Sequence, residues 1–184
     1  MRRSKQKHVV VSQQYRLKMR TLLIFYSRSG ATRKLATAIA AELHADVIEI
    51  RCPRFRSGWL SYLRAGYDSV RGILPDIEMP LVDATAYDLV LFGAPFWTSY
   101  PALPLRAFLA SRPALPARVG LFLAFGGHSP PDKTFKAASA LLPPAQAFEA
   151  TLAVRQRDIA HDQFGADLRR FIQALNRNES SGTV

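Results

Sequence analysis

Residues Thr21 to Tyr26 read Thr-Leu-Leu-Ile-Phe-Tyr, six positions with no charged side chain and no turn former. A short, unbroken apolar run of this kind suits a strand covered on both faces. That points to a parallel sheet layered between helices. The period then changes. Across residues 32–43, Leu35, Ala36, Ile39, Ala40 and Leu43 recur at helical spacing.

The alternation continues along the chain. Further strands are predicted at Asp46–Ile50, 87–93, Arg118–Phe125 and 146–154, and further helices at 101–111, 133–142 and 162–176. Strands alternating with helices imply an α/β fold with a parallel sheet and right-handed crossovers. The stretch from 51 to 86 is long for a connection. Within it Trp59, Leu60, Leu63, Tyr67 and Val70 lie at helical spacing, which reads as a helix packing on the sheet.

Charge bears on function less than its total suggests. The net charge is +11, but seven of the 25 basic side chains lie in residues 1–20, where there is no acidic one. The rest carries 18 basic against 14 acidic residues, a net of +4. Residues 1–19 therefore read as a basic, disordered leader, whose origin in an upstream start codon mass spectrometry of the native protein would test. Residues 20–176 read as the folded domain and 177–184 as a frayed tail. A basic arm gives only a non-specific signal for nucleic acid or anionic lipid. No apolar stretch is long enough to span a bilayer, and no signal peptide pattern is present, so a cytoplasmic protein is expected. The single Cys52 agrees, since one thiol cannot form an internal disulfide.

Open parallel sheets bind ligands beyond the carboxyl ends of their strands. Three loops should meet there. The first is Ser27-Arg28-Ser29-Gly30-Ala31-Thr32, which joins a buried strand directly to a helix. Hydroxyl donors, a glycine turn and the free amides of a helix N-terminus suit a phosphate, although the same residues also make ordinary turns and caps. It lacks the spacing of both a Walker loop and a dinucleotide fingerprint. The second, Gly93 to Pro101, carries Pro95, Phe96, Trp97 and Thr98. Exposed aromatics suit stacking on a planar ring, or a hydrophobic cap over the sheet edge. The third holds Gly126, Gly127 and His128. Paired glycines leave amides open to a ligand, and the histidine is either a donor to it or a solvated loop residue.

Taken together, the three loops resemble those of the flavodoxin-like flavoproteins, over about residues 20–175. The resemblance implies a doubly wound five-stranded parallel sheet, order 2-1-3-4-5, with helices on both faces. It implies FMN as cofactor, with Ser27, Arg28, Ser29, Gly30, Ala31 and Thr32 at the phosphate. Pro95, Phe96, Trp97 and Thr98 would lie against the flavin, Trp97 closest, and Gly126, Gly127 and His128 near its polar edge. Few positive charges near the ring would disfavour the anionic reduced flavin. The resemblance also admits NAD(P)H as donor, a redox partner or small quinone-like acceptor, and a homodimer. Three functions stay open: an FMN-dependent NAD(P)H oxidoreductase, a non-enzymatic electron carrier, and a binding module without redox turnover. The small acidic carriers of the family dock through charge that this core does not have. No metal site is expected from the scattered histidines, and no G-x-S-x-G elbow or Cys-x5-Arg loop is present.

Overall fold

Alternate residues of the first strand, β1 (Thr21–Tyr26), face opposite sides, and both sides are covered. Leu22, Ile24 and Tyr26 belong to one core cluster; Leu23 and Phe25 belong to a second. The computed structural model describes residues 19–55, 67–68, 71–97, 99–127 and 130–181. The elements that follow β1 are α1 (Ala31–Leu43), β2 (Asp46–Ile50), β3 (Leu89–Trp97) and β4 (Tyr100–Pro101). Then come α2 (Leu103–Ala110), β5 (Arg118–Phe125), α3 (Asp132–Ser139), β6 (Phe148–Arg155), α4 (Gln156–Ala160) and α5 (Gly165–Ser181).

Five strands run parallel in the order β2-β1-β3-β5-β6, with the short β4 antiparallel on the end of β3. The first cluster is closed by Leu103, Leu105, Phe108 and Leu109 of α2 and Ala138 of α3. The second is closed by Leu35 and Ile39 of α1 and Leu168, Phe171 and Leu175 of α5. Helices thus cover both faces, and the fold is the flavodoxin-like α/β sandwich that the sequence led us to expect. Among the described residues no helix is long and apolar enough to cross a membrane.

Some expectations need correction. The third strand runs from Leu89 to Trp97 rather than over 87–93, so Pro95, Phe96 and Trp97 belong to a strand and not to a loop. A proline is tolerated there because β1 pairs with β3 only as far as Gly93, so the ladder on that side has ended before Pro95. The last strand is Phe148–Arg155 and the last helix Gly165–Ser181, so the expected frayed tail at 177 is helical to Ser181. A five-residue helix, α4, occupies Gln156–Ala160 where none was predicted.

Most of the predicted stripe between Trp59 and Val70 lies outside the described residues, as do residues 1–18. The described part shows the register differently. Tyr67 is 58% exposed, whereas Asp68 is 1% exposed. The buried position is the acid, and Arg54 explains it. Its Nε donates to Asp68 Oδ2 at 2.8 Å and its Nη2 to Oδ1 at 3.2 Å. Arg51 and Glu78 form an isolated antiparallel bridge that ties the two ends of this excursion together.

Candidate functional site

The expected phosphate loop leaves β1 at Tyr26 and enters α1 at Ala31. Gly30 is the N-cap residue, at φ 94° and ψ −18°, a left-handed conformation in which side chains other than glycine are strained. Ser27 does the capping instead: its Oγ accepts the Arg33 N–H at 3.2 Å. The Lys34 N–H bonds the Gly30 carbonyl at 2.9 Å, the first bond of the helix ladder. The amides of Ala31 and Thr32 precede that ladder and have no partner within the helix. They stand at the positive end of the α1 dipole. Ser29 is exposed and Thr32 is buried, so the contribution of Thr32 to the open end of the helix is its amide.

Above Gly30 the space is open: a Cβ built there would meet no atom within 4 Å. The loop therefore presents helix amides and a serine hydroxyl to open space. Free amides at a helix N-terminus suit an anion of phosphate size.

The second expected loop is a β-hairpin. Phe96 pairs with Pro101 and Trp97 with Tyr100, and Ser99 takes φ 69° in the turn. The Pro95 carbonyl accepts the Ala102 N–H at 2.9 Å, locking the base of the hairpin. Pro95 itself is buried. Phe96 is half-buried, and its ring stacks on Phe125 with centroids 5.0 Å apart and planes 17° apart. The strand register makes this contact, because Pro95 lies beside Ala124 and so brings Phe96 level with Phe125. An aromatic floor thus spans the carboxyl ends of β3 and β5. Trp97 holds a strand position whose side chain is not described, and Thr98 and His128 lie outside the described residues.

Tyr100 is 47% exposed, and Arg106 of α2 places its guanidinium carbon 5.2 Å from the Tyr100 ring centroid. Arg106 Nη1 is buried with no hydrogen-bond partner among the described residues. Sequence reasoning overlooked this arginine. The reading that positive charge is scarce near the aromatic loop takes no account of a side chain reaching back from the following helix. Gly126 and Gly127 are exposed after β5. A Cβ on Gly126 would lie 3.4 Å from Gln156 Oε1, so the carboxamide of Gln156 borders the third loop. No local pattern marks Gln156, which is brought there by the pairing of β5 with β6.

Tyr26 closes β1 beneath these loops. Burial, then the neighbouring Cys52, pushes its phenol up to about 12, with Arg28 opposing, so it is a neutral hydroxyl near pH 7.

No protein-family model and no curated protein sequence matches the chain. Solved structures do. A flavoprotein from Lactobacillus acidophilus NCFM, determined in complex with FMN, superimposes with a TM-score of 0.63 at 22% identity, over 79% of this chain and 98% of that one. A putative flavoprotein from Bacteroides eggerthii DSM 20697 gives 0.65 at 16% identity, over 81% and 98%. A flavodoxin, WrbA-like protein from Agrobacterium tumefaciens gives 0.52 at 14% identity, over 85% and 99%. With the strand order β2-β1-β3-β5-β6 and the three converging loops, these likenesses identify the fold of this chain as flavodoxin-like.

Proposed function

We propose that this protein binds FMN at the carboxyl ends of β1, β3 and β5 and is an oxidoreductase that passes electrons from NAD(P)H to a quinone-like acceptor. The observation that carries this reading is the pairing of two features on one edge of the sheet. One is the amide-bearing turn at Gly30, open on its outer side; the other is an aromatic floor of Phe96 and Phe125. A phosphate suits the first and a conjugated ring suits the second, so a molecule carrying both fits the donor set. The FMN-bound Lactobacillus flavoprotein of the same fold supports the choice of cofactor.

FMN supplies the electron chemistry when bound; the protein supplies orientation and electrostatics. In this reading the amides of Ala31 and Thr32 and the Ser27 hydroxyl hold the phosphate, with Arg28 and Ser29 beside it. Phe96 and the exposed face of Tyr100 shield the ring from water, and Gly126 and Gly127 offer amides to its polar edge; the sequence resemblance adds Trp97, Thr98 and His128 as flavin contacts. Arg106 gives the hairpin side a cation that favours an electron-rich ring or acceptor.

The purified full-length protein tests this directly. A yellow preparation, or one that takes up added FMN with quenching of flavin fluorescence, is expected. Gly30→Ala should weaken FMN by about tenfold, because a left-handed alanine costs roughly 1–2 kcal/mol and the loop relieves that strain by opening. Bleaching by NADPH and recolouring with a quinone supports the enzyme. Bleaching only through a separate reductase identifies a carrier, and a colourless protein that ignores FMN overturns both.

A further inference from the structure

Residues 73–88, the run that leads into β3, carry Asp76, Glu78, Asp83 and Asp88 and no basic side chain, in a chain whose net charge is +11. Three large apolar side chains are exposed on the same run: Ile73, Leu74 and Leu81, the last fully. An acidic strip with clustered exposed apolar groups has the composition of a contact surface. Between this strip and α2 lies a groove of about 540 Å3. Ile77, Val82 and Phe108 give it an apolar floor, and Asp76 and Asp83 are its charged lining residues. Among the described residues no lysine or arginine lines it; Arg112, between the lining residues Ser111 and Pro113, is not one of them. None of the three loops beyond the carboxyl ends of the strands contributes to it, so the groove stands apart from the proposed flavin site.

The amino-terminal segment joins the domain beside this groove. Arg20 donates its N–H to Asp88 Oδ2 at 2.7 Å and sets its guanidinium carbon 4.9 Å from the Tyr87 ring centroid. The Tyr87 N–H in turn bonds the carbonyl of Ala84, a groove residue, at 3.3 Å. Residues 1–18, which lie outside the described residues, are thus tethered at the end of the acidic strip. They hold Arg2, Arg3, Lys5, Lys7, Arg16 and Lys18, no acid, and one apolar run, Val9-Val10-Val11. An extended chain covers about 3.3–3.6 Å per residue, so the eight residues from Ser12 to Met19 reach about 26–29 Å. The helix α2, the far wall of the groove, is eight residues or roughly 12 Å long. The tether is therefore long enough for the valines to lie along it.

We propose that residues 1–18 dock on this groove of their own chain, with Val9 to Val11 on its apolar floor and the flanking Lys5 and Lys7 against Asp76 and Asp83. Segment and groove complement one another in both respects: base meets acid, and an apolar centre meets an apolar floor. Exposed ion pairs alone hold a segment weakly and are screened by salt, so the valines decide where it rests. Docked in this way, the segment withholds its basic side chains from other anionic partners. The proposal does not depend on FMN.

Zero-length carbodiimide crosslinking of the purified full-length protein, read by peptide mass spectrometry, tests this, because it joins only amines and carboxylates in contact. Lys5 and Lys7 should link to Asp76 and Asp83 within one chain, with a yield that falls as salt is raised. Combining Val9→Ser, Val10→Ser and Val11→Ser, all outside the folded domain, should lower that yield at least about fivefold. A yield indifferent to the valines, links spread evenly onto Asp132 and Asp167, or no links at all would overturn the proposal. A mixture of isotopically labelled and unlabelled protein separates the remaining occupant. Links chiefly between differently labelled copies assign the groove to a second copy's segment and overturn docking within the chain.

Discussion

Gly93 sits in the middle of the sheet, paired with Phe25 on one side and Phe122 on the other. A methyl group added there would lie 2.1 Å from Phe122 Cζ, 2.3 Å from Cε2 and 2.8 Å from Cε1. Carbon atoms in contact prefer about 3.5–4.0 Å, so the ring edge would have to retreat by more than about 1 Å. It has nowhere to go. Phe122 is fully buried in the second cluster, and the Gly93 backbone is held from both sides by parallel ladders. Overpacking of this kind costs about 1–3 kcal/mol. Alanine also restricts the unfolded chain, which returns about 0.4–1 kcal/mol. Gly93→Ala is therefore expected to lower stability by about 1–2 kcal/mol, read as a shift of the urea midpoint at constant slope. The cause can be isolated with Phe122→Leu. Alone it leaves a void; combined with Gly93→Ala, the new methyl enters that void. The double variant should be more stable than the sum of the singles predicts, by about 0.5–3 kcal/mol. Additivity to within about 0.5 kcal/mol would refute the steric reasoning.

Two further outcomes follow from burial. In the Arg54–Asp68 pair the Arg54 side chain is 34% exposed and the Asp68 side chain 2%. Arg54→Ala strands a buried carboxylate and is expected to cost up to about 3–5 kcal/mol, whereas Asp68→Ala leaves a guanidinium that water can reach. Urea midpoints should place Arg54→Ala well below Asp68→Ala, and the opposite order would contradict the burial argument. For Tyr26 the folded phenol is raised to about 12, above its ordinary value of 10.0. The unfolded chain loses this proton first, so stability is complete below pH 10 and declines between pH 10 and 12, by about 1.4 kcal/mol for each tenfold difference in proton affinity between the two states. Tyr26→Phe should flatten that decline; an unchanged pH profile would place the titration elsewhere.

The parts legible in the sequence are those set by neighbours along the chain. β1, α1 and the turn between them are contiguous, so the apolar run, the glycine and the helical period were all in view together. Asp68 was illegible for the opposite reason: its burial depends on Arg54, 14 residues away, and helical spacing alone favoured Tyr67 for the core. The bridge between Arg51 and Glu78 likewise joins residues far apart along the chain, at the end of β2. Gln156 and Arg106 reach the site from elements that follow it. Each of these becomes visible only when the chain has folded back on itself.

Pro95 shows how one residue can both obscure and build a site. Its lack of an N–H makes the segment after Gly93 read as a loop, yet that same lack is harmless where β1 has stopped pairing. β3 then continues from Gly93 to Trp97, a rise of about 13 Å beyond the end of its ladder with β1. This offset in strand height makes a step in the sheet edge. The lower tread is the end of β1, with the open turn at Gly30; the riser is the extended β3, stiffened by β4 and by the Pro95–Ala102 hydrogen bond. If β1 ran on as far as β3, its own side chains would cover that turn. If β3 stopped with β1, the aromatic floor of Phe96 and Phe125 would have no support. An open helix N-terminus set below a stacked aromatic pair therefore requires strands of unequal length, and the proline stands where the lengths diverge.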